Sequence, residues 1–193
     1  MGSRYNVPNA SILMLKIDLS QAVALIQNEG VLLNGTETLI GFCGLASSQK
    51  AAKTIKQFKL RDEKKAFIVL TNDIESISKW ILSPTPEQYQ NMLSTTTPTT
   101  WLIPKSSQCP DYLAPYFETL AVRFPKHSQL KQLINEIGAP IISTSANISN
   151  GQPTTDVYAA AALFPTVPFL YPVLPMTGVA STIIDLSSHR VIR

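Results

Sequence analysis

The sequence predicts an α/β fold with a mixed sheet. Helical and strand-like periodicities alternate from end to end, and no segment repeats another at a fixed spacing. The chain has 193 residues and 45% hydrophobic content, which is enough to bury one large core. We therefore expect a single domain over residues 1–193.

In the first 70 residues, apolar runs alternate with amphipathic stretches. Strands are predicted at 13–17, 31–33 and 66–70. A helix is predicted at 20–28, with Gly30 ending it. A second helix begins after Ser47 or Ser48, and its apolar positions follow the 3.6-residue period up to Phe58.

The rest of the chain continues the alternation. Short helical pieces are expected near Asp73 and Pro86, and the polar run 94–100 is either a mobile loop or the entry to a strand. Strands are predicted at 101–103, 120–124, 140–142, 182–184 and 191–192. Helices are predicted at 128–137, ended by Gly138, and after a cap at Thr155 or Asp156.

Composition excludes several classes of protein. The 16 Lys and Arg against 13 Asp and Glu give a net charge of +3, which permits phosphate contacts without requiring a polyanionic partner. Cys43 and Cys109 lie far apart, with no Cys-x-x-Cys spacing, so we expect two reduced thiols rather than a disulfide or zinc site. No apolar run approaches the roughly 20 residues of a membrane span, so we expect a cytoplasmic protein.

The segment from Ser143 to Asn147 follows the predicted strand at 140–142. It reads as a turn with three hydroxyls and an amide, at the strand end where open α/β sheets place ligands. These groups can cradle a phosphate. Ser, Thr and Asn also favour turns and caps for local reasons, and composition alone favours that second interpretation.

Lys59, Arg61 and Lys65 lie within seven residues of one another. Arg grips two phosphate oxygens at once and Lys supplies a movable charge, so the cluster suits a polyphosphate. Asp62 and Glu63 lie between them, a mixture that is also typical of solvated surface.

Arg123 interrupts the apolar run 120–124. It needs a partner or ligand if it is buried, or it points outward from an edge strand, and the alternation leaves both open. His127 is expected to cap or pack rather than to catalyse. The polar loop from Asn34 to Thr38, with Gly41 and Gly44 after it, matches no known phosphate-binding signature.

Taken in order, these motifs resemble the YrdC-type threonylcarbamoyl-AMP synthases in their short, single-domain form. The matching segments are Thr36-Glu37-Thr38, Lys59-Leu60-Arg61 with Lys65, Arg123 to His127, Ser143 to Asn147, and Ser181 to Asp185. The resemblance covers about residues 13–193. The Lys-x-Arg motif followed by Ser-Thr-Ser-Ala-Asn at the family's distance is its most specific part.

The resemblance implies a twisted open sheet with a wide, positively charged cavity. It also implies a reaction in which L-threonine, bicarbonate or CO2, and ATP give threonylcarbamoyl-AMP and pyrophosphate. ATP is then a substrate accompanied by Mg2+, no cofactor is tightly bound, and no residue is assigned to a resident metal. A tRNA threonylcarbamoyl transferase would consume the product.

The resemblance also implies roles for individual residues. Lys59 and Arg61 are expected to act in catalysis. The expected ATP-binding residues are Lys59, Arg61, Lys65, Ser145, Asn147 and Arg193. The expected threonine-binding residues are Thr36, Arg123, Ser143, Ser181 and Thr182.

Two other functions remain open at this point. The chain departs from the family's usual residues at Asn34-Gly35, Asp62 and Thr96-Thr97. With the net positive charge, these departures leave room for a non-catalytic RNA-binding protein or for a relative that carbamoylates another acceptor. Weak RNA binding is compatible with each of them.

Overall fold

The computed structural model describes residues 15–149 and 151–193, and the predicted α/β fold with an open mixed sheet is confirmed. Along the sheet the strands lie in the order β1-β8-β2-β3-β7-β4-β6-β5-β9. The strands are β1 Lys16–Ile17, β2 Val31–Gly35, β3 Ile40–Leu45, β4 Ile68–Leu70, β5 Thr99–Pro104, β6 Thr119–Arg123, β7 Ile141–Ser145, β8 Phe169–Leu170 and β9 Thr182–Asp185.

Helices pack on this sheet. They are α1 Leu19–Gln27, α2 Gln49–Lys59, α3 Pro86–Ser94, α4 Ser128–Ile137 and α5 Val157–Leu163, with a 3-10 turn at Glu75–Ile77. The predicted cap of α2 is Ser48, whose side chain accepts from the Ala51 N–H. Asp156 caps α5 by accepting from the N–H groups of Tyr158 and Ala159.

The two faces of the sheet are covered unequally. One face carries the larger core, to which α2 contributes Ala51 and Ile55 and β6 contributes Val122. The other face is covered by α1 and α4 over only part of its area, where they enclose residues such as Leu32 and Ile141. The uncovered part forms a concave surface.

Strand register fixes which side chains meet on that concave surface. β4 runs parallel to β6, with Leu70 beside Arg123. β7 runs antiparallel to β4, with Ser143 beside Ile68. β5 runs antiparallel to β6 with Trp101 beside Val122, so the next step along the register puts Thr100 opposite Arg123.

Several sequence predictions need correction. Asn34 to Thr38, with Gly41 and Gly44 after it, was expected to be a polar loop, but Asn34 and Gly35 belong to β2 and residues 40–45 form β3, because Gly41 and Gly44 allow close approach within the sheet. A Cβ at Gly41 would lie 3.0 Å from the Thr144 carbonyl oxygen. The two-residue strand β8 was missed because it is too short to show a period. Of the predicted strand 191–192, Val191 makes only an isolated bridge to Ile184.

The segment predicted as the turn 143–147 is also different. β7 continues through Ser143 to Ser145, so only Ala146 and Asn147 follow the strand. Of the run 94–100, Ser94 ends α3, residues 95–98 form a loop, and β5 begins at Thr99. Of the predicted strand 13–17, residues 13 and 14 lie outside the described residues, and 16–17 form β1.

The structure also bears on the two cysteines and on membrane spans. Cys43 and Cys109 are both free and buried, as predicted. In the part of the chain that is described, none of the helices combines the length and the apolar character needed to cross a bilayer.

The C-terminus of α4 gives a test of the fold. Gly138 has φ 72°, and nothing lies within 4 Å of a Cβ built there. Gly138→Ala is therefore expected to lower the free energy of unfolding by about 1 kcal/mol through backbone conformation alone. Gly138→Asn should lose less, because Asn tolerates this conformation. Urea denaturation measures both. An alanine variant as stable as wild type would show that position 138 does not require a residue suited to positive φ.

Candidate active site

A cavity of about 440 Å³ occupies the uncovered part of the sheet. This volume is within the range of small-molecule sites. The polar and aromatic residues that line it are Thr36, Thr38, Arg61, Phe67, Thr100, Phe117, Thr119, Arg123, Ser143, Thr144, Ser145, Ser181 and Arg193. The cavity therefore brings together side chains from five of the sequence motifs.

Arg123 is buried, with 5% of its surface exposed, on an internal strand. The outward-facing alternative is therefore wrong. Its Nη2 forms an ion pair with the Glu37 carboxylate, and its Nη1 approaches the Thr38 hydroxyl at 3.5 Å. Arg123 thus has a partner within the protein, which the sequence did not identify.

Glu37 ties the β2–β3 hairpin to the start of α4. Its Oε1 accepts from the backbone N–H groups of Lys126 at 2.5 Å and His127 at 3.0 Å. Burial raises the pKa of Glu37, but the Arg123 charge and these N–H groups outweigh it, so the pKa lies below its usual value. Both carboxylate oxygens are therefore engaged in holding Arg123 and the helix terminus in place.

His127 lies at the N-cap of α4 without a side-chain cap hydrogen bond. It is buried, and its two ring nitrogens make no hydrogen bond. Burial lowers its pKa. Of the two expected roles, capping and packing, the contacts favour packing.

Hydroxyl groups surround Arg123. Thr36 and Thr38 share a hydrogen bond of 2.9 Å between their Oγ1 atoms. Thr100, opposite Arg123 by register, shares one of 2.9 Å with Ser181. Three of the five predicted threonine-binding residues, Thr36, Arg123 and Ser181, therefore lie at one end of the cavity.

Two other predicted residues, Thr182 and Arg193, lie elsewhere than expected. Ile183 lines the cavity, and strand alternation turns the neighbouring Thr182 away from it. Arg193 was expected near the nucleotide, but its guanidinium donates to the Ser181 carbonyl at 3.1 and 3.3 Å. Arg193 thus enters the cavity beside Ser181.

Arg61 marks the other end. It donates from Nη1 to the Thr144 hydroxyl at 3.0 Å and from Nη2 to the Ala66 carbonyl at 2.6 Å, and its Nε is buried without a partner. Its guanidinium lies 5.4 Å from the centre of the Phe67 ring. Leu60 ends α2 in the left-handed conformation, with φ 47°, and this turn directs Arg61 away from Lys59.

Lys59 lies behind the cavity wall rather than in the cavity. It is 1% exposed, and its ammonium donates to the Ser145 carbonyl, to the Asn147 carbonyl at 2.7 Å and to Asn147 Oδ1 at 3.2 Å. Burial, together with the charges of Arg61 and Lys65, lowers the pKa of Lys59 to about 7. All three N–H donors are used inside the protein.

Asn147 has a similar internal role. Its Oδ1 also accepts from the Ser145 hydroxyl at 2.5 Å, and its Nδ2 donates to the carbonyls of Ile148 at 2.9 Å and Gly151 at 2.8 Å. Asn147 does not line the cavity, and neither does Lys65. Of the predicted ATP-binding residues, Arg61, Ser145 and Arg193 reach the cavity.

The wall between the two ends is made of hydroxyls on β7. Ser143 lies beside Ile68, the first residue of β4. Arg61 contacts the Ala66 carbonyl, and Leu70 lies beside Arg123. The four residue steps from Ala66 to Leu70 span about 13 Å of extended chain, so the two arginines mark opposite ends of the cavity. The cavity therefore holds Arg61 at one end and Arg123 with Arg193 at the other, with neutral hydrogen-bonding groups between them.

Sequence reasoning missed several residues of the cavity. Glu37 and Thr38 stood in a matched motif without an assigned role, and Thr100 and Thr144 were read only as parts of polar runs. Phe117 gave no signal, because a single aromatic residue before a strand has no distinctive pattern. No cluster of three or more His, Cys, Asp or Glu residues is present among residues 15–149 and 151–193.

Comparison with known proteins gives similarities over most of the chain. The threonylcarbamoyl-AMP synthase of Yersinia enterocolitica is 31% identical over 138 residues, which cover 70% of this chain and 73% of that protein. The structure of E. coli YciO is similar with a TM-score of 0.73 at 19% identity, covering 91% of this chain and 87% of YciO.

Sua5 of P. abyssi, solved in complex with L-threonine, is similar with a TM-score of 0.81 at 24% identity. The match covers 91% of this chain, which spans about half of that longer protein, 54% of its length. The model of the Sua5/YciO/YrdC family, described as "Telomere recombination", matches residues 24–193. The chain therefore belongs to the Sua5/YciO/YrdC family.

Proposed function

We propose that the protein is an L-threonylcarbamoyl-AMP synthase. The observation that carries the proposal is a single cavity with Arg61 at one end, Arg123 at the other and the β7 hydroxyls between them. A triphosphate and an amino-acid carboxylate are anions that Arg binds well. The name of the 31% identical relative supports the same activity.

Threonine is assigned to the Arg123 end. Its carboxylate would accept from the face of Arg123 that is not held by Glu37, and its hydroxyl and amine would lie among Thr36, Thr100 and Ser181. The Glu37 ion pair fixes the guanidinium before substrate arrives, which lowers the ordering cost of binding. Ser143 lies between this end and the nucleotide.

The ATP phosphates are assigned to the Arg61 end. The Arg61 guanidinium lines the cavity, and a phosphate oxygen would accept from the Nη hydrogens that Thr144 and Ala66 leave unused. Ser145 lines the cavity nearby, while Lys59 and Asn147 would act from behind by fixing the shape of the segment after β7. This replaces the direct phosphate contact expected for Lys59.

The reaction needs no protein nucleophile. The amine of threonine adds to CO2 and loses a proton to give a carbamate. A carbamate oxygen then forms a bond to the α-phosphorus while the bridging oxygen leaves with pyrophosphate. Positioning and charge stabilisation dominate such transfers. Mg2+ would enter with ATP rather than as a resident metal, and we expect tRNA threonylcarbamoyl transfer in the cytoplasm to consume the product.

The decisive test measures pyrophosphate release from ATP. Release is expected to require both threonine and bicarbonate, with threonylcarbamoyl-AMP detected by mass. Release without that dependence, or none at all, would remove the proposal. Replacing threonine by each other amino acid in the same assay would identify a different acceptor.

RNA binding is a second candidate, favoured by the charge of one segment. Residues 49–65 contain seven of the 16 Lys and Arg residues, and Lys50, Lys53 and Lys64 are exposed. This candidate predicts RNA binding that weakens steeply with salt. It also predicts that replacing all three lysines by alanine abolishes the binding. Affinity unchanged by that variant would reject it.

Arg61→Ala is expected to lower kcat/KM for ATP by about 10- to 150-fold, the value of one charge-assisted hydrogen bond. Lys64→Ala removes a nearby exposed cation and should change kcat/KM less than twofold. Steady-state pyrophosphate release measures both. Equal losses in the two variants would show that only general charge near the cavity matters.

Glu37→Gln tests how Arg123 is held. The amide keeps the size of the side chain but removes the charge that pairs with Arg123, so KM for threonine should rise about tenfold or more. The dissociation constant for ATP should stay unchanged. Glu63→Gln, at the exposed carboxylate that pairs with Lys56, is the matched control and should alter neither value. A larger effect on ATP than on threonine would contradict the assignment of the two ends.

The lowered pKa of Lys59 predicts that ATP binding is linked to proton uptake. With its pKa at about 7, its amine is mostly neutral at pH 8, and the charge of bound ATP favours the ammonium. ATP binding at pH 8 should therefore take up as much as about one proton, and affinity should fall as pH rises through 7. Calorimetry in buffers of different ionisation enthalpy measures the uptake. Lys59→Arg, charged throughout, should show none, and equal uptake would assign the proton elsewhere.

A further inference from the structure

Phe117 presents an exposed aromatic ring to the cavity. It lines the cavity and is 48% exposed, whereas the other aromatic ring in the lining, Phe67, is fully buried. A large apolar side chain left open to solvent in a cavity wall offers a surface that a flat, apolar part of a ligand can cover. The established family membership assigns no role to it.

A chain of hydrogen bonds places Phe117 at the Arg61 end. Arg61 donates to the Ala66 carbonyl, and the next residue, Phe67, donates from its N–H to the Leu113 carbonyl at 2.8 Å. The Phe117 N–H donates to the Ala114 carbonyl at 3.3 Å. The loops that carry Arg61 and Phe117 are therefore direct neighbours, at the opposite end of β6 from Arg123.

The backbone before Phe117 is held in an uncommon conformation. Tyr116 has φ 63°, a region that bulky residues rarely adopt because it costs free energy. Its own side chain is 81% exposed, with the Lys64 ammonium 6.0 Å from the ring centre. Packing of Tyr116 does not explain the turn, whereas the turn does bring Phe117 to the cavity wall.

We propose that Phe117 is the stacking surface for the purine base of ATP. The inference rests on the proposed function and adds the residue that binds the base. With the base on Phe117 and the phosphates at Arg61, the α-phosphate lies toward the β7 hydroxyls and faces the threonine end. Stacking depends on ring area rather than on hydrogen-bond pattern, so purine triphosphates should bind more tightly than pyrimidine triphosphates.

The test compares two probes, Mg-ATP and inorganic triphosphate with Mg2+, by calorimetry. Phe117→Ala should weaken ATP binding about 5- to 150-fold, the range for the loss of one stacked base. The affinity for inorganic triphosphate should stay within twofold. Phe117→Trp, which keeps a stacking surface, should bind ATP at least as tightly as wild type.

Two further variants control for the fold. Phe117→Leu keeps an apolar side chain without a ring and should weaken ATP binding while its melting temperature stays near wild type. Tyr158→Ala removes an exposed aromatic side chain on α5, outside the cavity, and should change nothing.

The outcomes separate this inference from the function on which it rests. Wild-type activity with ATP binding unchanged in Phe117→Ala would overturn the role of Phe117 alone. Equal weakening of ATP and triphosphate would also overturn it, because the residue would then shape the cavity rather than bind the base. A wild-type protein that binds no ATP would overturn both.

Discussion

The buried ammonium of Lys59 joins the end of α2 to the end of β7, and the cavity wall depends on that junction. A charge removed from water costs several kcal/mol unless hydrogen bonds compensate it, and the oxygens of Ser145 and Asn147 supply three. The segment after β7 is thereby held in one conformation. The left-handed Leu60 then sends Arg61 to the other side of the wall, so adjacent motif positions have different tasks.

The two ends of the cavity differ in their electrostatics. Arg123 is paired with the buried carboxylate of Glu37, so the field that it projects is largely neutralised. Arg61 donates to a hydroxyl and a carbonyl, both neutral groups, and keeps its charge. The Glu37 pair makes Arg123 suit a singly charged carboxylate, whereas Arg61, and Arg193 beside Ser181, keep a charge that suits a polyanion.

Much of the scaffold could be predicted from the sequence, and the direction of key side chains could not. Helix α4 was predicted at its observed bounds because its apolar period is regular and Gly138 ends it. The orientation of Arg61 depends on a left-handed leucine, which no propensity anticipates. The partner of Arg123 lies 86 residues away at Glu37, and pairing over that distance is set by topology rather than by local pattern.

The edge position of β9 has a consequence for biosynthesis. β9 adds to the sheet beside β5, and the Ser181 just before it supplies the hydroxyl that bonds to Thr100. A nascent chain that has not reached residue 181 lacks this hydroxyl and the side wall that β9 provides. The Arg123 end of the cavity is therefore completed only after residues 181–185 have been synthesised.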